Sequence, residues 1–340
     1  MGEEEQQEPV GIIGFQNELA NIRAALAGFD SGEKADVAII AEPFAGRTKL
    51  IHAIEQIADR EVVTNSFSAL ITDQDEITLP EGAGGIVLCD NCHFLYRRTI
   101  GGFRYLDAFL AAVAASEHLV ITTWNIYSWR YLDEVRAISK YFTNVIALSP
   151  FSSTELKELI LVGYAENELK FEDDRTPEKK RIITQHPLAF TMRDKTLTIP
   201  FFSIDFARIK ALFSRKAETK KAEDIIFEKI NRIANGNPGV AKLLWEQSLQ
   251  YPTIKPSYVK ECPFKVELDY PESFLLYLIL SMEALTEPEL REISGELEVE
   301  TMLHRLLYQR LIVEDMGSYQ LNPEALSCIV SALTRTGVIW

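Results

Sequence analysis

The chain alternates between two hydrophobic periods over its first 150 residues. Short apolar runs, typical of buried strands, are separated by segments in which apolar residues recur every three or four positions, as on one face of a helix. Strands are predicted at 37–40, 61–64, 85–90, 118–123 and 144–148, and helices at 15–28, 50–57, 105–115 and 129–141. Strands that alternate with helices indicate a parallel sheet covered on both faces, so the predicted fold class is α/β.

The pattern changes after Pro150. Helices are predicted at 154–164, 222–234 and 240–249, with a hairpin over 188–204 and a strong break at 235–239. Beyond a proline-spaced connection, further helices are predicted at 273–285, 288–294 and 299–309, followed by short strands at 311–314 and 319–321. Three helices followed by a small hairpin are typical of a winged helix.

These patterns predict four parts. Residues 1–9 are predicted as an acidic tail, 10–151 as an α/β domain, 152–255 as a helical region with a basic insertion at about 165–221, and 256–340 as a winged-helix domain.

Charge and composition narrow the class of protein. The net charge of −15 disfavours nonspecific binding to nucleic acid, and residues 256–340 hold 6 Lys/Arg against 14 Asp/Glu, a net charge of −8. Residues 170–220 are the exception, with 12 Lys/Arg against 7 Asp/Glu, a net charge of +5. No apolar stretch is long enough to span a bilayer, and the start has no signal-peptide pattern. With four cysteines, too few for a disulfide scaffold, a cytoplasmic location is expected.

The segment after the first predicted strand is similar to the phosphate-binding motif G-x-x-x-x-G-K-[ST]. Ala41 stands at the first Gly, Gly46 at the second, Arg47 at the Lys and Thr48 at the hydroxyl position. Backbone amides in such a loop converge on phosphate at a helix N-terminus. The predicted nucleotide-binding residues are Ala41, Glu42, Pro43, Phe44, Ala45, Gly46, Arg47, Thr48 and Lys49.

Polar residues also end the third and fourth predicted strands. Asp90 is suited to hold Mg²⁺ together with Thr48, whereas Asn91, at the usual position of a water-polarising Glu, cannot act as a base. Asn125, or alternatively Thr123, could reach a γ-phosphate.

Taken in order, these motifs resemble those of AAA+ and STAND ATPases, and the layout with a C-terminal winged helix is similar to that of archaeal Orc/Cdc6 proteins. The segment 13–19 resembles the N-terminal box, 41–48 Walker A, 85–91 Walker B, 123–125 sensor 1 and 236–239 the lid motif, with Gly239 at the sensor-2 Arg. The resemblance implies that 10–151 is a P-loop nucleotide-binding domain and 152–255 a helical lid, with ATP or ADP and Mg²⁺ as cofactors. It also implies that Arg136 can reach a neighbouring subunit's nucleotide, and that Asn91, Asn125 and Arg136 are the candidate catalytic residues.

Three of the groups that support hydrolysis are altered, at Arg47, Asn91 and Gly239. Because loss of one such group commonly lowers the rate about 10²–10³-fold, weak or absent hydrolysis is expected. The leading prediction is a regulatory protein in which nucleotide gates contact with a protein partner or a second copy. Three alternatives stay open: an active ATPase that uses Glu42 or Glu81 as the base, a DNA-binding regulator of the Orc/Cdc6 kind, and a scaffold that binds no nucleotide.

Overall fold

The computed structural model describes residues 13–80, 82, 84–174, 183–192, 195–204, 221–260, 266–295 and 298–339, with only the backbone described at 183–204. The predicted acidic tail, Glu81 and residues 175–182, 193–194 and 205–220 of the predicted basic insertion lie outside the described residues. None of the described helices is long and apolar enough to cross a membrane.

The first 150 residues form a five-stranded parallel sheet with helices. Its elements are α1 (Gln16–Asp30), β1 (Val37–Ala41), α2 (Arg47–Ile57), β2 (Val62–Ser66), β3 (Ile86–Asp90), α3 (Arg104–Ala115), β4 (Leu119–Asn125), α4 (Ile126–Arg136) and β5 (Asn144–Ala147). The strand order is β2-β3-β4-β1-β5, and every pair is parallel. The predicted α/β class, with a loop joining the first strand to a helix, is confirmed.

Burial along the strands shows why the sheet is stable. All residues of β3 and β4 are buried, although successive side chains point to opposite faces. Both faces are therefore covered. In the register of the sheet Ala41 lies opposite Asn125, and Ser66 opposite Asp90, so the polar strand ends meet at one edge.

The middle of the chain supplies further helices and the strands of a hairpin, in the part predicted to be a lid. Its elements are α5 (Ser153–Leu161), β6 (Lys170–Phe171), β7 (Ile183–Met192), β8 (Lys195–Ile204), α6 (Ala222–Ala234), α7 (Pro238–Ser248) and β9 (Thr253–Ile254). The antiparallel pair β7–β8 agrees with the predicted hairpin but begins five residues earlier than expected. Helix α7 starts at the predicted break, where Asn237 caps its first turn.

The C-terminal segment, residues 266–339, contains α8 (Tyr270–Met282), β10 (Ala284–Thr286), α9 (Glu287–Ser294), α10 (Val299–Tyr308), β11 (Ile312–Asp315), β12 (Ser318–Leu321) and α11 (Leu326–Arg335). Its first helices and the hairpin follow the predicted order, whereas the winged-helix assignment and the domain boundaries stay predictions. The prediction that the first helix reaches residue 285 is wrong. Helix α8 ends at Met282 because Glu283 takes a left-handed backbone (φ 64°), and 284–286 then pairs with β12.

Candidate phosphate site

The loop between β1 and α2 has the geometry of an anion site. Gly46 precedes α2 with φ 95°, a value that favours glycine, and Phe44 has φ 64°. Among the described residues, the amides of Gly46, Arg47 and Thr48 have no hydrogen-bond acceptor. Free amides at a helix N-terminus are the donors that a phosphate takes. Thr48 is exposed, so this end of the loop faces solvent.

Helix α7 rests directly on the same loop. The side-chain amide of Asn237 donates to the carbonyl of Pro43 (2.8 Å), and the backbone amide of Gly239 donates to the carbonyl of Phe44 (3.1 Å). A Cβ at position 239 would lie 2.6 Å from the Phe44 oxygen, closer than real Cβ contacts. This contact leaves no room for a side chain at position 239, where the resemblance expects an arginine.

Arg47 turns toward the C-terminal segment. Its side chain is buried, and Nη2 lies 2.5 Å from Oε1 of Glu283, the residue that ends α8. Nη1 is buried and has no hydrogen-bond partner among the described residues. Burial would raise the pKa of Glu283, but the charge of Arg47, with the hydrogen bonds from Arg47 and Asn125, lowers it overall. Glu283 is therefore ionised at neutral pH.

Asn125 contacts the same carboxylate from the end of β4. Its Nδ2 donates to Oε1 of Glu283 and to the carbonyl of Leu280, both at 2.9 Å. Its Oδ1 accepts from the amides of Tyr127 and Ser128 and thereby caps α4. Both polar atoms of the Asn125 side chain, which was predicted to contact a γ-phosphate, therefore have hydrogen bonds to other groups of the protein.

His93 is the third side chain near this carboxylate. It is fully buried, and its Nε2 lies 4.0 Å from Oε1 of Glu283, beyond hydrogen-bond distance. Neither ring nitrogen has a hydrogen-bond partner in the described part of the chain. Burial lowers the pKa of His93 to about 3, with Arg47 adding to the shift and Glu283 opposing it. The imidazole is therefore neutral at neutral pH.

Asp90 and Asn91 occupy the expected strand end but have different partners. The Thr123 hydroxyl donates to Oδ1 of Asp90 (2.5 Å) and accepts from the amide of Asn91 (2.9 Å). The Asn91 side chain donates to the carbonyl of Phe67 (3.2 Å), beyond β2. Asp90 therefore lies buried at the strand end, while the Asn91 amide group is directed to the β2 side of the sheet.

The other candidate residues are held within the α/β part. Glu42 accepts a hydrogen bond from the Tyr127 hydroxyl (3.1 Å), and burial, followed by the Glu42 charge, raises the pKa of that hydroxyl. Arg136 pairs with Asp107 (3.2 Å) and lies over the Phe103 ring, 4.5 Å from its centroid.

Sequence reasoning missed Glu283 and His93. Glu283 follows the apolar run Leu275–Met282, where an acid at the end of a predicted helix looks like a solvated terminus. No sequence signal relates it to Arg47, which is 236 positions away. His93 lies just after Asp90, close enough in sequence to have been considered.

No family model matches the chain, and no curated protein is similar to it in sequence. Solved structures with a similar layout include the RuvB Holliday junction branch migration motor of Thermotoga maritima, with 15% identity, a TM-score of 0.43 and coverage of 95% of this chain and 98% of that chain. The ORC2 protein of Aeropyrum pernix, solved in ADPNP and ADP complexes, has 11% identity, a TM-score of 0.45 and coverage of 98% and 97%. The ORC1 protein of Aeropyrum pernix, solved in complex with DNA, has 12% identity, a TM-score of 0.41 and coverage of 97% and 96%.

At these identities and TM-scores, no activity transfers from these proteins to this chain, and the fold class rests on the strand order of its own sheet. The likeness to archaeal Orc proteins that the motifs indicated is one of overall layout.

Proposed function

We propose that the protein is an AAA+/STAND-like regulator that binds ATP or ADP with Mg²⁺ and in which nucleotide gates the position of the C-terminal segment. The observation that carries this proposal is that Arg47 and Asn125 both donate hydrogen bonds to the carboxylate of Glu283. Two side chains at predicted phosphate positions are bonded to the segment that a nucleotide would have to move.

The residues present fit a nucleotide. The amides of Gly46, Arg47 and Thr48 can take phosphate oxygens, and the buried Nη1 of Arg47 is a further donor without a partner in the described chain. Thr48 and Asp90 would hold Mg²⁺ together with the phosphates, since hydroxyl and carboxylate oxygens suit this ion. Bound Mg²⁺ would neutralise phosphate charge.

The same geometry supports weak or absent hydrolysis. Asn91 cannot accept a proton, and its side chain is bonded to Phe67. Glu42, an alternative base, is bonded to Tyr127. A side chain at position 239 would collide with the phosphate loop, so no sensor-2 arginine can act from there.

The C-terminal segment is the element to be gated. Helix α8 contacts α4 through the hydroxyl of Ser128, which donates to the carbonyl of Ser281 (2.5 Å). The guanidinium of Arg98 lies 3.8 Å from the centroid of the Tyr131 ring and 4.4 Å from that of Tyr277, and so links α4 to α8. The net charge of −8 beyond residue 255 favours a protein partner or a second copy over DNA.

Calorimetric titration of the full chain with ATP and with ADP, each with Mg²⁺, tests the binding. We expect saturable binding that Thr48→Ala and Asp90→Ala weaken when Mg²⁺ is present. As a control, Thr78→Ala, far along the chain from the loop, should bind as the wild type does. Absence of binding by every form would reject this proposal and favour the scaffold that binds no nucleotide.

Steady-state phosphate release tests the expectation that hydrolysis is weak or absent. We expect turnover no higher than that of the Asp90→Ala variant. Turnover well above that background would favour the active-ATPase alternative.

A further inference from the structure

We propose that the carboxylate of Glu283 occupies the place of the terminal phosphate of a nucleoside triphosphate, so that a triphosphate displaces it and a diphosphate does not. This inference rests on the proposed nucleotide binding. It adds which ligand is sensed and by which residue.

The pocket around Glu283, formed by Arg47, His93 and Asn125, is built for an anion. Arg47 and Asn125 both donate to one oxygen, Oε1, at 2.5 and 2.9 Å. All three pocket residues are buried, at 7% exposure or less. Carboxylate and phosphate oxygens accept the same charge-assisted hydrogen bonds, so donors that fit one group also fit the other.

Glu283 leaves part of this pocket unsatisfied. Nη1 of Arg47 and both ring nitrogens of His93 are buried and have no hydrogen-bond partner among the described residues. Buried polar atoms are rarely left without partners in proteins, so such atoms point to a group that the pocket receives in another state. A terminal phosphate has three oxygens and can satisfy more donors than one carboxylate oxygen does.

The Glu283 carboxylate and a terminal phosphate cannot both bind to Arg47 at the same time. Glu283 is ionised in the pocket, and a second negative group bonded to Arg47 would lie within a few ångströms of it. Like charges at this distance repel strongly where solvent is scarce. A triphosphate that bonds to Arg47 therefore requires Glu283 to leave, whereas a diphosphate held by the loop amides alone does not.

Departure of Glu283 would be transmitted to α8 through the backbone. Asn125 bonds both to Glu283 and to the carbonyl of Leu280, one turn earlier. Glu283 also holds a left-handed backbone that few residues other than glycine adopt. Loss of the carboxylate contacts removes two of the hydrogen bonds that hold this conformation and so loosens the end of α8.

The test compares affinities of the full chain for a non-hydrolysable ATP analogue and for ADP, each with Mg²⁺, in the wild type and in Glu283→Gln. The variant keeps the shape of the side chain and removes its charge. We expect triphosphate affinity to rise about tenfold, as when a binding-competent state goes from a tenth of the molecules to nearly all of them, while ADP affinity stays within about twofold. Glu292→Gln is the matched control, because Glu292 also joins the two parts of the chain, through Arg97 (3.2 Å), and should leave both affinities unchanged.

Equal tightening of both nucleotides, or no change in either, would overturn the inference while leaving nucleotide binding intact. Failure of every variant to bind any nucleotide would remove the proposed function with it. A second measurement needs no variant: hydrogen exchange of α8 in the wild type should quicken with the triphosphate analogue and not with ADP. Equal exchange in the two complexes contradicts the inference.

Discussion

The backbone amide of Gly239 donates to the carbonyl of Phe44, and this hydrogen bond sets helix α7 directly on the loop between β1 and α2. Position 239 has no room for a Cβ, because the Phe44 oxygen would lie 2.6 Å away. Helix α7 and this loop are therefore closely packed.

Gly239→Ala should lower the free energy of unfolding by about 1–3 kcal/mol, the usual cost of forcing a methyl group into a packed site. Thermal or urea unfolding measures it. Gly163→Ala is the control, since the nearest atom to its added Cβ is 3.9 Å away. Equal effects of the two substitutions would show that the Phe44 contact is not tight.

Arg47→Met should destabilise the protein by up to about 3 kcal/mol. Removal of one partner from a buried ion pair usually costs about 3–5 kcal/mol. We expect the lower end of that range because a quarter of the Glu283 side chain is exposed. The double variant Arg47→Met/Glu283→Gln should recover part of the loss, as expected for coupled residues.

The control for this cycle is Arg291→Met, which breaks the exposed pair with Glu287 and should cost less than about 1 kcal/mol. If Arg291→Met costs as much as Arg47→Met, the burial of the Arg47 pair has no energetic consequence.

Stability should fall as the pH drops from 6.5 toward 3. His93 has its pKa lowered from 6.5 to about 3, so in this interval the unfolded chain binds a proton that the folded chain does not. The unfolded state is therefore favoured by acid. Glu283, whose pKa is lowered from 4.5, adds to the same trend below that pH.

His93→Phe should flatten the pH dependence of unfolding between pH 6.5 and 4.5, as measured by urea unfolding at a series of pH values. The control variant is His304→Gln, which removes an exposed histidine and leaves the surroundings of His93 intact. A slope that survives in His93→Phe would assign the effect to other groups.

Asn91→Glu should not raise ATP turnover, although it restores the carboxylate that the resemblance expects. The Asn91 side chain is directed to the Phe67 carbonyl, and a carboxylate there would meet an acceptor instead of water near the phosphates. Phosphate release by the variant should equal that of the wild type, and a clear increase would show that the side chain reaches the nucleotide.

The sheet could be predicted because its strands are nearly continuous apolar runs, and Ala222–Ala234 because its apolar period is regular. Helix α11 was missed although Leu326, Ile329 and Leu333 recur at helical spacing. The end of α8 was misplaced because a left-handed glutamate has no local signal in the sequence.

The site could be predicted only where it is local. The loop 41–49 and Asp90 were each predicted from a short motif whose own residues are close together in the sequence. The carboxylate on Arg47 comes from an element more than 200 positions away, and Asn125 reaches it only because β4 lies beside β1. A sequence motif indicates the residues that bind a ligand. It does not indicate a distant residue, such as Glu283, that pairs with one of them.

The backbone of Glu283 has a genetic consequence. Glutamate and glycine codons differ by a single base, and glycine adopts φ 64° more readily than glutamate does. Glu283→Gly would remove the charged group and relieve the strained residue in one step, so the conformational gain offsets part of the lost ion pair. Spontaneous mutants selected for activity without a nucleotide signal should therefore recur at this codon.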